Sequence, residues 1–402
     1  MSNSSILHMS NDLLAVNGVE CSSIASGIKK NNSLDLSLIS LIEGSKTAAV
    51  FTQNIFCAAP VLVAKNHLNS NIEALLINSG NANAGTGKKG LENAYKSCDI
   101  LSKELGVKPE QVLPFSTGVI GELLPIEPFE SNVNSLVTSL SDDGMSKVAK
   151  GILTTDLVAK SCSIAFEVDG KKITLSGIAK GSGMIRPDMA TMLSFIVSDI
   201  GASQEELQNC LKIAVNQSFN RITVDGDTST NDSCTLSATN QSGILYSQCK
   251  DEFQKALNDV TKKLAHMIVK DGEGATKFVE VNVSGLQSSD DCLEVAYTVS
   301  HSPLVKTALF ASDANWGRIL AAVGRSKVEG ISFENINIFI NDLQIIDSGE
   351  ISGQYTEGAG SIEMKKSEII IRIELGSSLN NESVWTTDLS YDYVKINAEY
   401  RS

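Results

Sequence analysis

The chain has 402 residues, 42% of them hydrophobic and 20% charged, a balance that excludes a disordered chain. Thirty-three Lys and Arg against 47 Asp and Glu leave a net charge of −14, which argues against non-specific binding to nucleic acid or anionic membrane, both of which need basic surface. The length allows two or three domains or one large α/β body. In chain order, Ala48–Asn54 and Ala74–Asn78 are apolar runs of strand length, followed by a Gly/Asn-rich loop over Asn78–Lys88. Residues 90–106 have helical spacing, with Leu91, Ala94, Tyr95, Cys98, Leu101 and Leu105 on one face and Gly106 as the stop. Residues 163–181 read as a hairpin, because Asp169-Gly170 between apolar strands is a strong turn signal. Thr191–Val197 reads as a strand. Ser203-x-x-Glu206 is a capping box opening a helix to about Ser218. Residues 251–270 form an amphipathic helix with Phe253, Ala256, Leu257, Val260, Leu264 and Met267 on one stripe. Lys277–Val283 alternates as a half-buried strand, Asn315–Gly324 predicts a short helix, and Glu368–Gly376 a late strand. Strands and helices mix without βαβ alternation, which predicts antiparallel or mixed sheets with helices outside rather than a doubly wound domain.

No run of 18 apolar residues occurs, and Met1–His8 has neither the basic nor the apolar region of a secretory signal. The eight cysteines (Cys21, Cys57, Cys98, Cys162, Cys210, Cys234, Cys249, Cys292) form no Cys-x-x-Cys pair. They are expected to be reduced thiols of a cytoplasmic protein. His8, His67, His266 and His301 stand apart, so no zinc site is expected. Gly85-Thr-Gly-Lys-Lys lacks the order of a phosphate-binding P-loop. Asp225–Asp232 is acidic, but Thr230 stands where a calcium loop needs glycine, so a hydrogen-bonded local turn is expected. No Gly-x-Ser-x-Gly elbow occurs.

What remains is a set of small polar clusters: Ser116–Gly121, Thr154–Asp156, Lys180–Met184, Met189–Met192, Asp271–Lys277 and Asn315–Arg318. Taken singly they read as ordinary turns, with Lys180 a solvated charge on a loop and Thr191 a β-former opening a strand.

Taken together they carry a resemblance. Gly177-Ile-Ala-Lys-Gly-Ser-Gly-Met-Ile-Arg-Pro-Asp-Met-Ala-Thr-Met-Leu-Ser-Phe-Ile resembles the self-cleavage segment of the ornithine acetyltransferase family, the glutamate N-acetyltransferase/ornithine acetyltransferase proteins of arginine biosynthesis. Phe51–Asn54, Asn78–Ala84, Ser116–Glu122, Arg221–Asp232, Asp271–Lys277, Asn315–Arg318 and Asn397–Ser402 resemble further family signatures in order, over essentially the whole chain.

The resemblance implies an α/β fold of two mixed sheets flanked by helices, an αββα-like sandwich of the ornithine acetyltransferase/self-processing aminopeptidase type, with a smaller α/β lobe near residues 200–275. It implies cleavage between Ala190 and Thr191, so that residues 1–190 become an α chain and residues 191–402 a β chain, pairing further as α₂β₂. Thr191 would be the nucleophile. Its freed α-amine, with a reference pKa near 7.7–8.0, would act as base for its own hydroxyl, and Lys180 nearby would lower that amine further. The Thr117 side chain and the Gly118 N–H would form the oxyanion hole. Thr154, Lys180, Thr191, Glu273, Asn397 and Ser402 would bind substrate, with Thr155 as the alternative to Thr154. Lys180 suits an α-carboxylate and Glu273 the δ-ammonium of ornithine. Asp225, Asp227, Asn315 and Trp316 match family positions and are read as structural.

The expected reaction is ping-pong acetyl transfer from N²-acetylornithine to glutamate through acetyl-Thr191. No metal or organic cofactor is expected, and acetyl-CoA is a candidate co-substrate. The rival readings are a self-processing aminopeptidase or amidase using water, and a non-catalytic binding protein. The chain departs from the family pattern at Ala84-Gly85-Thr86-Gly87, at Ala311–Trp316 and at Ser402, substitutions that bear on loop stiffness and substrate preference.

Overall fold

The structure is a computed structural model that describes residues 5–186 and 192–399. It divides into two compact units, Met1–Asn220 with Asp227–Ile268, and Arg221–Gly226 with Val269–Ser402.

The larger unit runs β1 (Ser5–Ser10), β2 (Val19–Ile24), β3 (Leu36–Leu41), β4 (Lys46–Phe51), α1 (Ala59–His67), β5 (Ala74–Asn81), α2 (Gly87–Leu105), β6 (Val112–Val119), α3 (Glu127–Thr138), α4 (Met145–Gly151), β7 (Lys160–Val168), β8 (Lys171–Lys180), β9 (Leu193–Ser198), α5 (Gln204–Asn216), β10 (Ser233–Ala238) and α6 (Lys250–Lys270). One sheet has the order β1-β7-β8-β9-β10-β4 and the other β2-β3-β5-β6. Both are mixed: β9 runs parallel to β10 and β5 parallel to β6, while the remaining pairs are antiparallel.

The sheets pack face to face. Ile39, Leu75, Ile77, Leu113 and Phe115 of one meet Ile178, Leu193, Phe195 and Val197 of the other. Phe115 and Phe195 stand edge to face at 5.0 Å, worth ~0.5–1.5 kcal/mol beyond the area they bury. On the outer face of the four-stranded sheet, Leu36, Leu38, Leu76 and Val112 pack against Ala94, Cys98 and Leu101 of α2 and against Phe129 and Leu136 of α3. On the outer face of the six-stranded sheet, Gly177 of β8 lies under α6, and a Cβ there would come 3.0 Å from Val260 and 3.1 Å from Leu264. Layers run helix, sheet, sheet, helix, as the resemblance implies.

The local signals act as expected. Gly106 closes α2 in the left-handed region at φ 73°. Asp169 and Gly170 turn the β7–β8 hairpin with φ of 50° and 74°, the positive pair a two-residue type I′ turn requires. Ser203 caps α5 with its reciprocal Glu206.

The smaller unit follows with β11 (Phe278–Gly285), α7 (Ser289–Ser300), α8 (Pro303–Phe310), α9 (Trp316–Gly324), β12 (Asn337–Ile340), β13 (Leu343–Asp347), β14 (Glu350–Ile351), α10 (Glu357–Met364), β15 (Glu368–Glu374), β16 (Ser378–Thr387) and α11 (Tyr391–Ala398). Its sheet has the order β14-β13-β12-β15-β11-β16. Alternate residues of β11 and β15 (Val279, Val281, Val283; Ile369, Ile371, Ile373) share a core with Val295 and Val299 of α7 and Ile319 and Val323 of α9.

The smaller lobe expected near 200–275 is corrected. α5, β10 and α6 belong to the larger unit, because β10 pairs with β9 and β4 inside the six-stranded sheet. The smaller unit is instead the C-terminal third of the chain with Arg221–Gly226. Among the described residues no helix is long and apolar enough to cross a membrane.

Candidate active site

Thr117 and Gly118 lie near the end of β6, paired in parallel with Ser79 and Gly80 of β5. Gly118 has φ 134°, and a Cβ on it would sit 2.3 Å from the Gly80 carbonyl carbon. Only glycine lets these two backbones approach so closely. Polar side chains tie this end together. Ser116 donates to Asn78 Oδ1 at 2.5 Å, Asn78 donates to the Asn81 carbonyl at 2.8 Å, and Asn231 Nδ2 donates to the carbonyls of Ala82 (2.7 Å) and Ser116 (2.9 Å).

Asn231 leads into β10, whose Ser233 pairs with Leu193, and Leu193 pairs in turn with Lys180. The Met192 N–H donates to Asp232 Oδ1 at 2.8 Å. Asp225–Asp232 has local bonds, with the Asn231 N–H donating to Ser229 Oγ at 3.1 Å, and more than a local role: Asn231 and Asp232 also reach to β6 and to the residue that follows Thr191.

Lys180 is the last residue of β8 and is 4% exposed, so it is neither on a loop nor solvated. Asp156, whose side chain is fully buried, faces it at 4.0 Å and accepts from Lys160 Nζ at 2.6 Å. The same carboxylate accepts from the N–H groups of Gly181 (2.6 Å) and Thr154 (3.1 Å). Burial alone would raise the Asp156 carboxyl. The Lys180 and Lys160 ammoniums, with the hydrogen bonds from Lys160 and Gly181, outweigh it and hold the group well below the usual carboxylate range.

Lys29 completes the cluster. Its Nζ donates to the carbonyls of Leu34 (3.1 Å) and Leu153 (2.8 Å), and its stem lies where a Gly80 side chain would be. Burial lowers its pKa; Asp35 opposes this, Lys180 adds to it, and Asp156 opposes it. Thr155 donates to or accepts from Ser182 at 2.7 Å.

Thr117, Gly118, Thr154 and Lys180 are thus gathered at one end of the sandwich. Ala190, Thr191 and Ser402 lie outside the described residues. In the smaller unit Glu273 and Asn397 meet: Asn397 Nδ2 donates to Glu273 Oε2 at 2.8 Å and to the Tyr393 carbonyl at 3.0 Å. Asn315 caps α9 by accepting from the Arg318 N–H at 3.2 Å, and Trp316 packs on the core, the structural roles expected of them. Among the described residues no group of three His, Cys, Asp or Glu side chains is placed to hold a metal ion.

Lys29, Asp156, Lys160, Asn78 and Asn231 were not singled out from sequence as site residues. Asp156 and Asn231 stood inside quoted motifs, but Gly181 lies 25 residues from Asp156 and Ala82 149 residues from Asn231, and no local pattern encodes those pairings.

A buried cation and a threonine-glycine pair at the end of a strand are residue types that suit a site for an anionic small molecule. The sequence profile of the ArgJ family matches residues 20–402, and the chain belongs to that family. The arginine biosynthesis bifunctional protein ArgJ of Pseudomonas syringae pv. tomato is 49% identical over 396 residues, covering 96% of this chain and 97% of that protein. The protein of the same name from Pseudomonas fluorescens is 48% identical over 396 residues, covering 96% and 97%. A solved chain of ArgJ from Bacillus halodurans is 36% identical, with 52% of this chain and all of that chain covered and a TM-score of 0.47. This is the family the motif set resembles. The chain is an enzyme of acetyl transfer in arginine biosynthesis, and its substrates are small molecules. The peptidase and binding-protein readings are not favoured.

Proposed function

We propose that the chain cuts itself between Ala190 and Thr191 and then works by ping-pong transfer through acetyl-Thr191. In the first step Thr191 Oγ attacks the Ala190 carbonyl carbon, the amide breaks in favour of an ester, and water hydrolyses the ester. Thr191 is left with a free α-amine. That amine takes the proton of its own hydroxyl as Oγ attacks the acetyl carbonyl of N²-acetylornithine. Negative charge on the carbonyl oxygen is received by the Thr117 hydroxyl and the Gly118 N–H. Ornithine leaves, glutamate enters, and its amine takes the acetyl group.

Lys180 holds the α-carboxylate, Thr154 lies beside it, and Glu273 with Asn397 holds the ornithine end. Ser402 is assigned to substrate binding with them. The reaction needs no cofactor, and acetyl-CoA serves as a second acetyl donor. We place the enzyme in the cytoplasm as an α₂β₂ assembly. The observation that supports this reading most is the convergence of Thr117, Gly118, Thr154 and Lys180 at the sheet end where Met192, the neighbour of Thr191, is held by Asp232.

The test is the intact mass of the denatured protein with N-terminal sequencing. Two pieces of about 20 and about 23 kDa by length, the larger beginning Thr-Met-Leu-Ser, are expected. A single uncut chain that still transfers acetyl groups would overturn the mechanism. Thr191→Ala is expected to abolish both cleavage and turnover. Release of CoA thiol from acetyl-CoA and glutamate alone tests the second donor.

A further inference from the structure

Lys306 on α8 has no place in that chemistry, yet it is 4% exposed in the smaller unit. Its Nζ donates to Thr386 Oγ1 (2.9 Å), to the Thr387 carbonyl and to Thr387 Oγ1 (3.3 Å), and its own carbonyl accepts from the Leu389 N–H at 3.2 Å. Burial lowers the ammonium to about 7, against the pull of Asp388 and then Asp225. A buried ammonium is a poor device for stability alone, since an apolar side chain of like volume often serves as well.

What it holds is the end of β16, and the turn beyond carries two clamps. Asp388 accepts from the N–H groups of Thr276 (2.8 Å) and Lys277 (3.1 Å) and from Thr276 Oγ1 (2.5 Å). Those bonds fix the loop that bears Glu273. Ser390 donates to the Gly274 carbonyl at 2.6 Å and caps α11 by accepting from the Tyr393 N–H at 3.3 Å. Gly274 has φ 67°, and a Cβ there would lie 2.5 Å from Tyr393 N, so loop and helix are in backbone contact. Tyr393 also donates to Asp225 Oδ2 at 3.2 Å. The helix so placed delivers Asn397 to Glu273.

We propose that Lys306 is a positioning residue: by anchoring the end of β16 it sets the Asp388–Ser390 turn and, through it, the Glu273 carboxylate and the Asn397 amide that receive the ornithine end of the substrate. The proposal rests on the assignment of Glu273 and Asn397 to substrate binding made above.

Steady-state kinetics of the full-length, self-processed enzyme test it, with N²-acetylornithine varied, for Lys306→Met, Glu273→Gln and the double variant. Lys306→Met is expected to raise KM about tenfold with kcat within about twofold of wild type, the signature of lost binding rather than lost chemistry. Glu273→Gln raises KM at least as much, and the double variant is no worse than Glu273→Gln alone, because both changes act through one contact. An unchanged KM for Lys306→Met, a loss confined to kcat, or additive effects overturn the proposal while leaving Glu273 in place. An unchanged KM for Glu273→Gln overturns the assignment of Glu273 and the proposal with it. Should Lys306→Met fail to fold, Asp388→Asn, which keeps the shape of its side chain and weakens the same link, is judged by the same rise in KM and the same non-additivity with Glu273→Gln.

Discussion

Gly118 and Asp156 show how little freedom a site residue has. Gly118 combines φ 134° with a neighbouring backbone 2.3 Å from where a Cβ would be. Gly118→Ala must therefore push β5 and β6 apart and, on the proposed mechanism, move an oxyanion donor, an expected loss of ~10²–10³ in kcat. Turnover measured beside the melting temperature checks this. Asp156 faces both Lys160 and Lys180. Asp156→Asn removes a negative charge that two buried ammoniums share and is expected to cost ~3–5 kcal/mol of stability at neutral pH. The folded carboxyl lies below its unfolded value near 3.9. Its contribution is therefore present in full above about pH 4 and fades as the pH falls below that value toward the depressed folded one. Denaturant unfolding should show wild type losing stability below about pH 4 more steeply than Asp156→Asn; equal slopes would remove Asp156 from the role. Sequence reading reached Gly118 through its motif and passed over Asp156, because a carboxylate in Thr-Thr-Asp is unremarkable until Lys160 and Lys180 are folded around it.

Elements were the most legible scale. The capping box at Ser203, the Asp169-Gly170 turn and the Gly106 stop are all set by atoms within a few residues of each other, and all three stand where the sequence put them. Ser203→Ala is expected to cost ~1 kcal/mol with kcat and KM unchanged, since α5 lies on the outer face of the sheet. Thermal unfolding and turnover on one preparation decide it, and a changed KM would contradict that placement. The long helix α6 buries Phe253, Leu257, Val260 and Leu264 as the apolar stripe demands, but Met267 is only half-buried while Ile268 and Val269 are covered. The apolar stripe therefore describes the helix as far as Leu264 and not its last turn.

Across the whole molecule the chain has a core in each unit, one between the stacked sheets and one behind β11 and β15. Ile371, fully buried in the second, makes a separate probe. Ile371→Ala is expected to cost ~2–5 kcal/mol. Amide exchange should quicken in β11, β12 and β15 before it does in β8 and β9; uniform quickening would mean that the units open as one. The misplaced lobe belongs to this scale. Residues 200–268 contain a helix, a strand and a helix that could have stood alone by pattern, and the pairing of β10 with β9 and with β4, some 180 residues earlier, assigns them to the larger unit. By itself the sequence determined the family, the mixed α/β class, the helix ends and turns, and the residue types of the site, because periodicity, caps and motifs are written in neighbouring residues. The tertiary structure alone decided the strand order, the division into units, the Asp156 hub and the Lys306 anchor. Each of these depends on which distant segments meet, and the free energy of burying and pairing them is shared between segments that carry no local sign of one another.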